Sequence, residues 1–238
     1  KFLLNESYEK DSKIIKPSGF IHQIEFESYN DWEKNQIHYG FKRYLKNKYI
    51  HDLQIRIDSS QEVLKQFWEL HTKLRLNKFM EIPQPFNFFL NIYEEFFKKN
   101  MGGIVGAFYN GKLVAGILYI NFKDTCYYKF NASLPEFLHT RPNNHLIAYL
   151  ISHLDKIGID KLNLGYTGSS TNYDGLRKFK LSSGAKEYKR FLWKAGNWSQ
   201  INTEFIESIN SKVKSFIVKE QSFDDINNFS LKYYKYFI

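Results

Sequence analysis

"GGIVGAFYNGKLVAGILYINFKDTCYYKFNAS", residues 102–133, is the stretch on which the fold turns. Its apolar and aromatic residues fall into three runs of strand length, separated by two short polar breaks. The first break contains Asn110-Gly111, the pair that most readily takes the positive φ values of a two-residue hairpin turn. The second is Lys123-Asp124. Three antiparallel strands in a meander are therefore expected here, rich in the β-branched and aromatic residues that fit a pleated, half-buried surface.

Helices are expected on either side of this meander. Upstream, Ser59 or Ser60 caps an amphipathic helix that runs to about Asn77 and carries Val63, Phe67, Leu70 and Leu74 on one face. Pro83 and Pro85 interrupt the chain before a second helix, residues 86–99. Further upstream, residues 19–26 (GFIHQIEF) and 51–58 (HDLQIRID) alternate as strands do. The segment between them places Trp32, Ile37, Phe41 and Leu45 at helical spacing and ends in Lys42, Arg43, Lys46 and Lys48, cations suited to a helix C-terminus. Downstream, Pro142 precedes a helix over residues 144–156 that stops at Gly158. A short strand follows at 160–165, then a polar loop at 166–175, a short helix at 176–181 and a last strand at 187–194. From Asn197 the chain reads as mostly helical and lysine-rich. The fold class expected is α/β (α+β): a mixed, mostly antiparallel sheet with helices on both faces.

The 238 residues carry a net charge of +9, from 34 Lys and Arg against 25 Asp and Glu. That balance suits polyanionic partners, although the excess of Lys, Asn, Ile, Phe and Tyr also reads as plain compositional bias. The single cysteine, Cys126, excludes an intrachain disulfide and suits a reducing cytoplasm. No apolar run approaches the ~20 residues of a membrane helix. The first residue is Lys1 rather than Met, which suggests a fragment.

The order of elements and three of its words, residues 102–133, 141–165 (RPNNHLIAYLISHLDKIGIDKLNLG) and 175–185 (GLRKFKLSSGA), resemble the GNAT acyltransferase fold. The resemblance is to the branch of the Fem-type peptidoglycan-bridge aminoacyltransferases, and it spans roughly residues 59–194. It implies an N-acyltransferase that moves an acyl or aminoacyl group to an amine of a cell-envelope or sugar/peptide precursor. The donor is acyl-CoA or aminoacyl-tRNA, and no metal is expected. By the same resemblance residues 1–57 hold the end of a first GNAT-like half and a basic joining helix, 58–196 the acyltransferase domain, and 197–238 a helical tail. A missing first half would leave apolar surface for a second copy or a partner to cover.

The resemblance also nominates residues. Lys180, after Phe179, matches the Phe-Lys of Fem-type enzymes, whose lysine stabilises the oxyanion of acyl transfer; a fixed cation there supplies several kcal/mol. The plain alternative is an exposed helix lysine. Arg43, with Lys46 and Lys48, offers a planar fork for a diphosphate, or is merely a solvated helix end. Tyr128 and Asn131 belong to the third meander strand, which splays from its neighbour in GNAT folds. Asn163 and Tyr166 flank the end of that neighbour, where the cleft opens. Ordinary GNAT enzymes cradle the coenzyme A pyrophosphate on a glycine-rich turn. Here that place reads TRPNNHLI, without glycine, leaving Asn143 and Asn144 to cap the helix. His139, His145 and His153 lack metal-ligand spacing, and neither a P-loop nor a nucleophile elbow is present. The rival reading is a non-catalytic basic module for nucleic acid or an acidic polymer, in which Lys and Arg interleave with aromatics.

Overall fold

The computed structural model describes residues 17–46, 52–191 and 203–236. In chain order its elements are β1 (Pro17–Glu25), α1 (Tyr29–Asp31) running into a π-helical turn (Trp32–Gln36), α2 (Tyr39–Leu45) and β2 (Gln54–Asp58). Next come α3 (Gln61–Leu74), α4 (Phe86–Glu95), β3 (Gly102–Tyr109), β4 (Lys112–Phe122), β5 (Thr125–Ser133) and α5 (Pro142–Lys156). The chain continues with β6 (Lys161–Gly168), α6 (Asp174–Ser182), β7 (Lys186–Phe191), α7 (Thr203–Ile217) and α8 (Phe223–Tyr233).

The seven strands of the described residues form one sheet in the order β2-β3-β4-β5-β6-β1-β7. Among the described residues only β5 and β6 pair in parallel; the other pairs are antiparallel. The meander is β3-β4-β5. Asn110 (φ 48°) and Gly111 (φ 78°) both take left-handed values at its first turn, as a two-residue hairpin loop requires. One face of the sheet buries Trp32, Phe41, Leu146, Ile147 and Leu150 from α1, α2 and α5 and their surroundings. The other buries Leu64, Phe67 and Phe89 from α3 and α4. A mixed, mostly antiparallel sheet with helices on both faces is thus the architecture. Ser60 caps α3 by accepting from the Val63 amide.

Three segments differ from the sequence expectation. The helix expected across residues 28–49 is broken at Ile37, whose backbone is extended (ψ 141°). The break brings the chain against the end of α6: the Trp32 indole donates to the Ser183 carbonyl at 2.8 Å and the His38 amide to the Ser182 carbonyl at 3.1 Å. Residues 166–168, expected as loop, continue β6, because Gly19–Ile21 of β1 supply an antiparallel partner. Residues 17–26, expected to close a separate half, lie inside this sheet instead. β1 pairs with β6 on one edge and β7 on the other, and Ile24 and Phe26 are buried in the main core. The sheet therefore runs across the boundary drawn at residue 57. Lys48 and residues 192–194 lie outside the described residues, and among those described no helix is long and apolar enough to cross a membrane.

Candidate active site

β5 and β6 pair only from Thr125↔Lys161 to Tyr127↔Asn163. Beyond that they separate, although β5 continues to Ser133 and β6 to Gly168. Past that point neither strand has the other as a ladder partner, the kind of opening at which an extended acyl chain can hydrogen-bond to strand backbone.

The β5 wall depends on a bulge. Leu118 pairs with Phe130 and the next residue, Tyr119, with Tyr128, so Lys129 is the extra residue. A single insertion in a period-two element moves every later side chain to the opposite face. Cys126 and Tyr128 therefore pack with the α5-side core, whereas Phe130 and Ala132 pack under α3 and α4. Asn131 then turns towards α5. Its side-chain amide donates to Asn143 Oδ1 at 2.8 Å, and the Ser133 hydroxyl donates to the same oxygen at 3.1 Å. Asn143 was expected to cap α5, yet this helix has no side-chain cap bond. The residue before it, Arg141, enters the helix at φ 54°, and Pro142 occupies the first position, where a missing N–H costs nothing.

The β6 wall is built around Gly165. Its φ of 73° lies in the left-handed region, and its amide donates to Asn163 Oδ1 at 2.8 Å. A Cβ at this position would stand 3.8 Å from the Tyr128 carbonyl oxygen across the gap. The turn at Gly165 presents two successive carbonyls to one donor. The Lys180 ammonium donates to Gly165 O at 3.2 Å and to Tyr166 O at 3.0 Å. Lys180 is only 4% exposed, and burial lowers its pKa from 10.5 to about 8. An ammonium has three N–H donors, so one remains beyond the two carbonyls. Lys178, two residues earlier on α6, is exposed.

The remaining nominated residues scatter around this gap. Phe179 packs its ring on Phe41, with centroids 6.2 Å apart, and so fixes α6 to the core. The Tyr128 phenol is pushed upward in pKa by burial. Tyr166 turns its side chain away: its hydroxyl donates to the Ser18 carbonyl, and Arg190 stands 5.0 Å over its ring. Arg43 is exposed at the end of α2. It shares the Tyr44 ring with Arg141, at 5.6 and 4.6 Å, so two guanidiniums stand on one aromatic near the start of α5.

One cluster escaped sequence reading. Below α6, His22 of β1 is fully buried between Thr167 of β6 and Glu187 of β7. His22 Nε2 lies 3.1 Å from Glu187 Oε2 and Nδ1 lies 3.3 Å from Thr167 Oγ1. Glu187 also receives a two-pronged bond from Arg177 of α6, at 2.5 and 2.7 Å. Hydrogen bonding from Arg177 lowers the Glu187 pKa. Burial lowers that of His22, with nearby Lys180 acting in the same direction. The available signal was the alternation Phe20-His22-Ile24-Phe26, which sets a titratable ring in a core-facing register, where a buried polar group needs partners.

Residues 34–190 match the family described as Acetyltransferase (GNAT) domain. No curated protein matches the chain. Among solved structures, FemX superposes with a TM-score of 0.64 at 13% identity, over 72% of this chain and 60% of its own. The C-terminal DUF2156 domain of a putative lysylphosphatidylglycerol synthetase from Agrobacterium fabrum gives 0.59 at 14% identity, over 78% and 62%. L-PGS from Bacillus licheniformis gives 0.55 at 14% identity, over 87% and 67%. At these identities the likeness is one of fold, and the chain spans less than two thirds of the first two structures. The family match covers more than half of the chain, and its acyl donor and amine acceptor are those of the reaction class: the protein belongs to the GNAT family of acyltransferases.

Proposed function

We propose that this domain transfers an acyl or aminoacyl group to the amine of a cell-envelope or sugar/peptide precursor, by direct attack of that amine on the acyl carbonyl. The observation that carries the reading is the buried Lys180 ammonium at the β5–β6 gap, held by two β6 carbonyls with one donor to spare. With a pKa of about 8 it is mostly protonated at neutral pH, so it serves as a cation for the oxyanion rather than as the base. The amine adds to the acyl carbonyl carbon, forming the C–N bond and a tetrahedral oxyanion, and collapse of that oxyanion then breaks the bond to the leaving thiol or hydroxyl. The proton lost by the amine goes to that leaving group. Asn131 and Asn143 would orient the donor at the start of α5, and Arg43 with Arg141 would meet its phosphates.

The aminoacyl version is favoured over coenzyme A. The start of α5 carries Arg141-Pro142-Asn143 in place of a glycine turn, and the Asn143 amide oxygen is already engaged by Asn131 and Ser133. Of the similar folds, the putative lysylphosphatidylglycerol synthetase domain carries a name that fits transfer of a lysyl group, and FemX carries the Fem name of the branch that the sequence resembles. A cytoplasmic site of action suits the free, buried Cys126. The rival reading as a non-catalytic nucleic-acid module draws on β7, whose Tyr188, Lys189, Arg190 and Phe191 are exposed on an edge strand.

The test is a transfer assay by mass spectrometry, with acyl-CoA and aminoacyl-tRNA as alternative donors and an amine-bearing envelope precursor as acceptor. Lys180→Ala should lower turnover by about 10²-fold or more, the scale of losing one oxyanion donor. Lys178→Ala should change little. Equal effects of the two substitutions, or none from Lys180→Ala, would overturn the assignment.

A further inference from the structure

Between the sheet and α6 lies a hydrogen-bonded set of polar side chains, Arg177, Glu187, His22 and Thr167, with Lys180 beside it. Arg177 and Lys180 are three residues apart on α6, so they lie on one face of the helix. That face meets the sheet at two places. Lys180 reaches the Gly165 and Tyr166 carbonyls of β6. Arg177 reaches both carboxylate oxygens of Glu187 on β7, and its guanidinium stands 4.3 Å over the Phe20 ring of β1. Glu187 is held in turn by His22, which occupies the strand between β6 and β7.

The tautomer of His22 follows from its partners. A carboxylate can only accept, so the nitrogen facing Glu187, Nε2, carries the proton. Nδ1 then holds the lone pair and accepts from the Thr167 hydroxyl. A neutral ring satisfies both neighbours with no donor or acceptor left over.

We propose that His22 is a positioning residue for Lys180: it orients Glu187, Glu187 clamps Arg177, and this clamp fixes the turn of α6 that presents the Lys180 ammonium at the gap. This rests on the acyltransferase reading for its functional meaning, but its physical content is independent of substrate. The charged and titratable groups facing His22 are Glu187 from β7 and Arg177 and Lys180 from α6. Arg177 and Glu187 offset one another, so Lys180 is the one cation of this group without a carboxylate bonded to it. A second charge on His22 would repel it. Neutrality of His22 is therefore part of its role, and burial favours that neutral state.

The experiment reads Lys180 directly, by NMR titration of the isotope-labelled lysine side chains of the whole chain, with Lys180→Met identifying the signal. His22→Leu removes both hydrogen bonds while fitting a core-facing strand position. His22→Gln restores a donor for Glu187 and an acceptor for Thr167 without a titrating ring. If His22 positions Lys180, His22→Leu releases the ammonium towards water and its titration midpoint rises by about one pH unit or more, a tenfold change in its proton equilibrium. His22→Gln keeps the wild-type midpoint. Arg177→Met, which breaks the far end of the clamp, should shift it in the same direction as His22→Leu, and it tests the idea even if His22→Leu fails to fold. An unchanged midpoint in His22→Leu or in Arg177→Met would overturn the proposal. A shifted midpoint together with full transfer activity in Lys180→Ala would uphold the positioning role and sink the catalytic reading instead.

Discussion

Replacing Lys180 with Met keeps an unbranched side chain of similar reach and removes the ammonium. Burial lowers the pKa of this group from 10.5 to about 8. At 1.36 kcal/mol per unit, holding its charge in the folded protein costs about 3 kcal/mol relative to the unfolded chain. The sign follows from proton counts. Between pH 8 and 10.5 the unfolded chain binds the proton and the folded chain does not, so stability rises with pH across that window. Below pH 8 both states are protonated and the cost is constant. The Met variant escapes the cost but leaves the Gly165 and Tyr166 carbonyls without their donor, a loss of about 1–3 kcal/mol for each. The two effects largely offset at pH 7, where variant and wild type should agree within about 3 kcal/mol. They should diverge towards pH 10, as wild type gains up to about 3 kcal/mol that the variant cannot. The buried Tyr119 and Tyr128 phenols, whose pKa values are raised, work the other way at high pH in both proteins, so the difference between them is the quantity to read. Urea denaturation at pH 7, 8.5 and 10 supplies it. Parallel stability curves would refute the claim that Lys180 is a desolvated cation, and with it the basis of the proposed oxyanion role.

His71, stacked on Phe67 and 5% exposed, has its pKa lowered to about 4 by burial. Stability should therefore fall by up to about 3 kcal/mol as pH drops from 6.5 to about 4, because the unfolded chain takes up a proton that the folded one refuses; His71→Gln should flatten that fall in acid titrations followed by circular dichroism. Gly165→Ala meets no atom closer than 3.8 Å, so it should cost only the left-handed backbone strain, about 1–2 kcal/mol. A loss much above 3 kcal/mol in urea would mean that the gap is tighter than this geometry. Phe41, 1% exposed, joins Trp32 to Phe179. Phe41→Ala should cost about 3–5 kcal/mol, and a denaturation midpoint close to wild type would contradict its place as the anchor of α6.

Local chemistry was enough to read much of this molecule. Asn110-Gly111 specified the first hairpin because few other pairs take two left-handed residues in succession. Ser60 and Pro142 marked helix starts because each satisfies or lacks the amide that a first turn leaves unpaired. With the order of elements, these led to the fold class, and the Phe179-Lys180 pair singled out α6, which the proposed function makes a wall of the candidate site. What the sequence could not decide depends on partners far along the chain. Residues 166–168 are strand only because β1, nearly 150 residues earlier, lies alongside. Asn131 faces Asn143 only because one extra residue at Lys129 turns the rest of β5 over. His22 carried a readable oddity, a polar ring on the core side of an alternating strand. Its meaning came from Glu187 and Thr167, which the sheet order sets on either side of it. Caps, turns and periodicities are fixed within a few residues, and a sequence displays them. Strand neighbours, bulge registers and buried polar pairs are chosen by burial and hydrogen bonding across the whole core, and these only the tertiary structure decided.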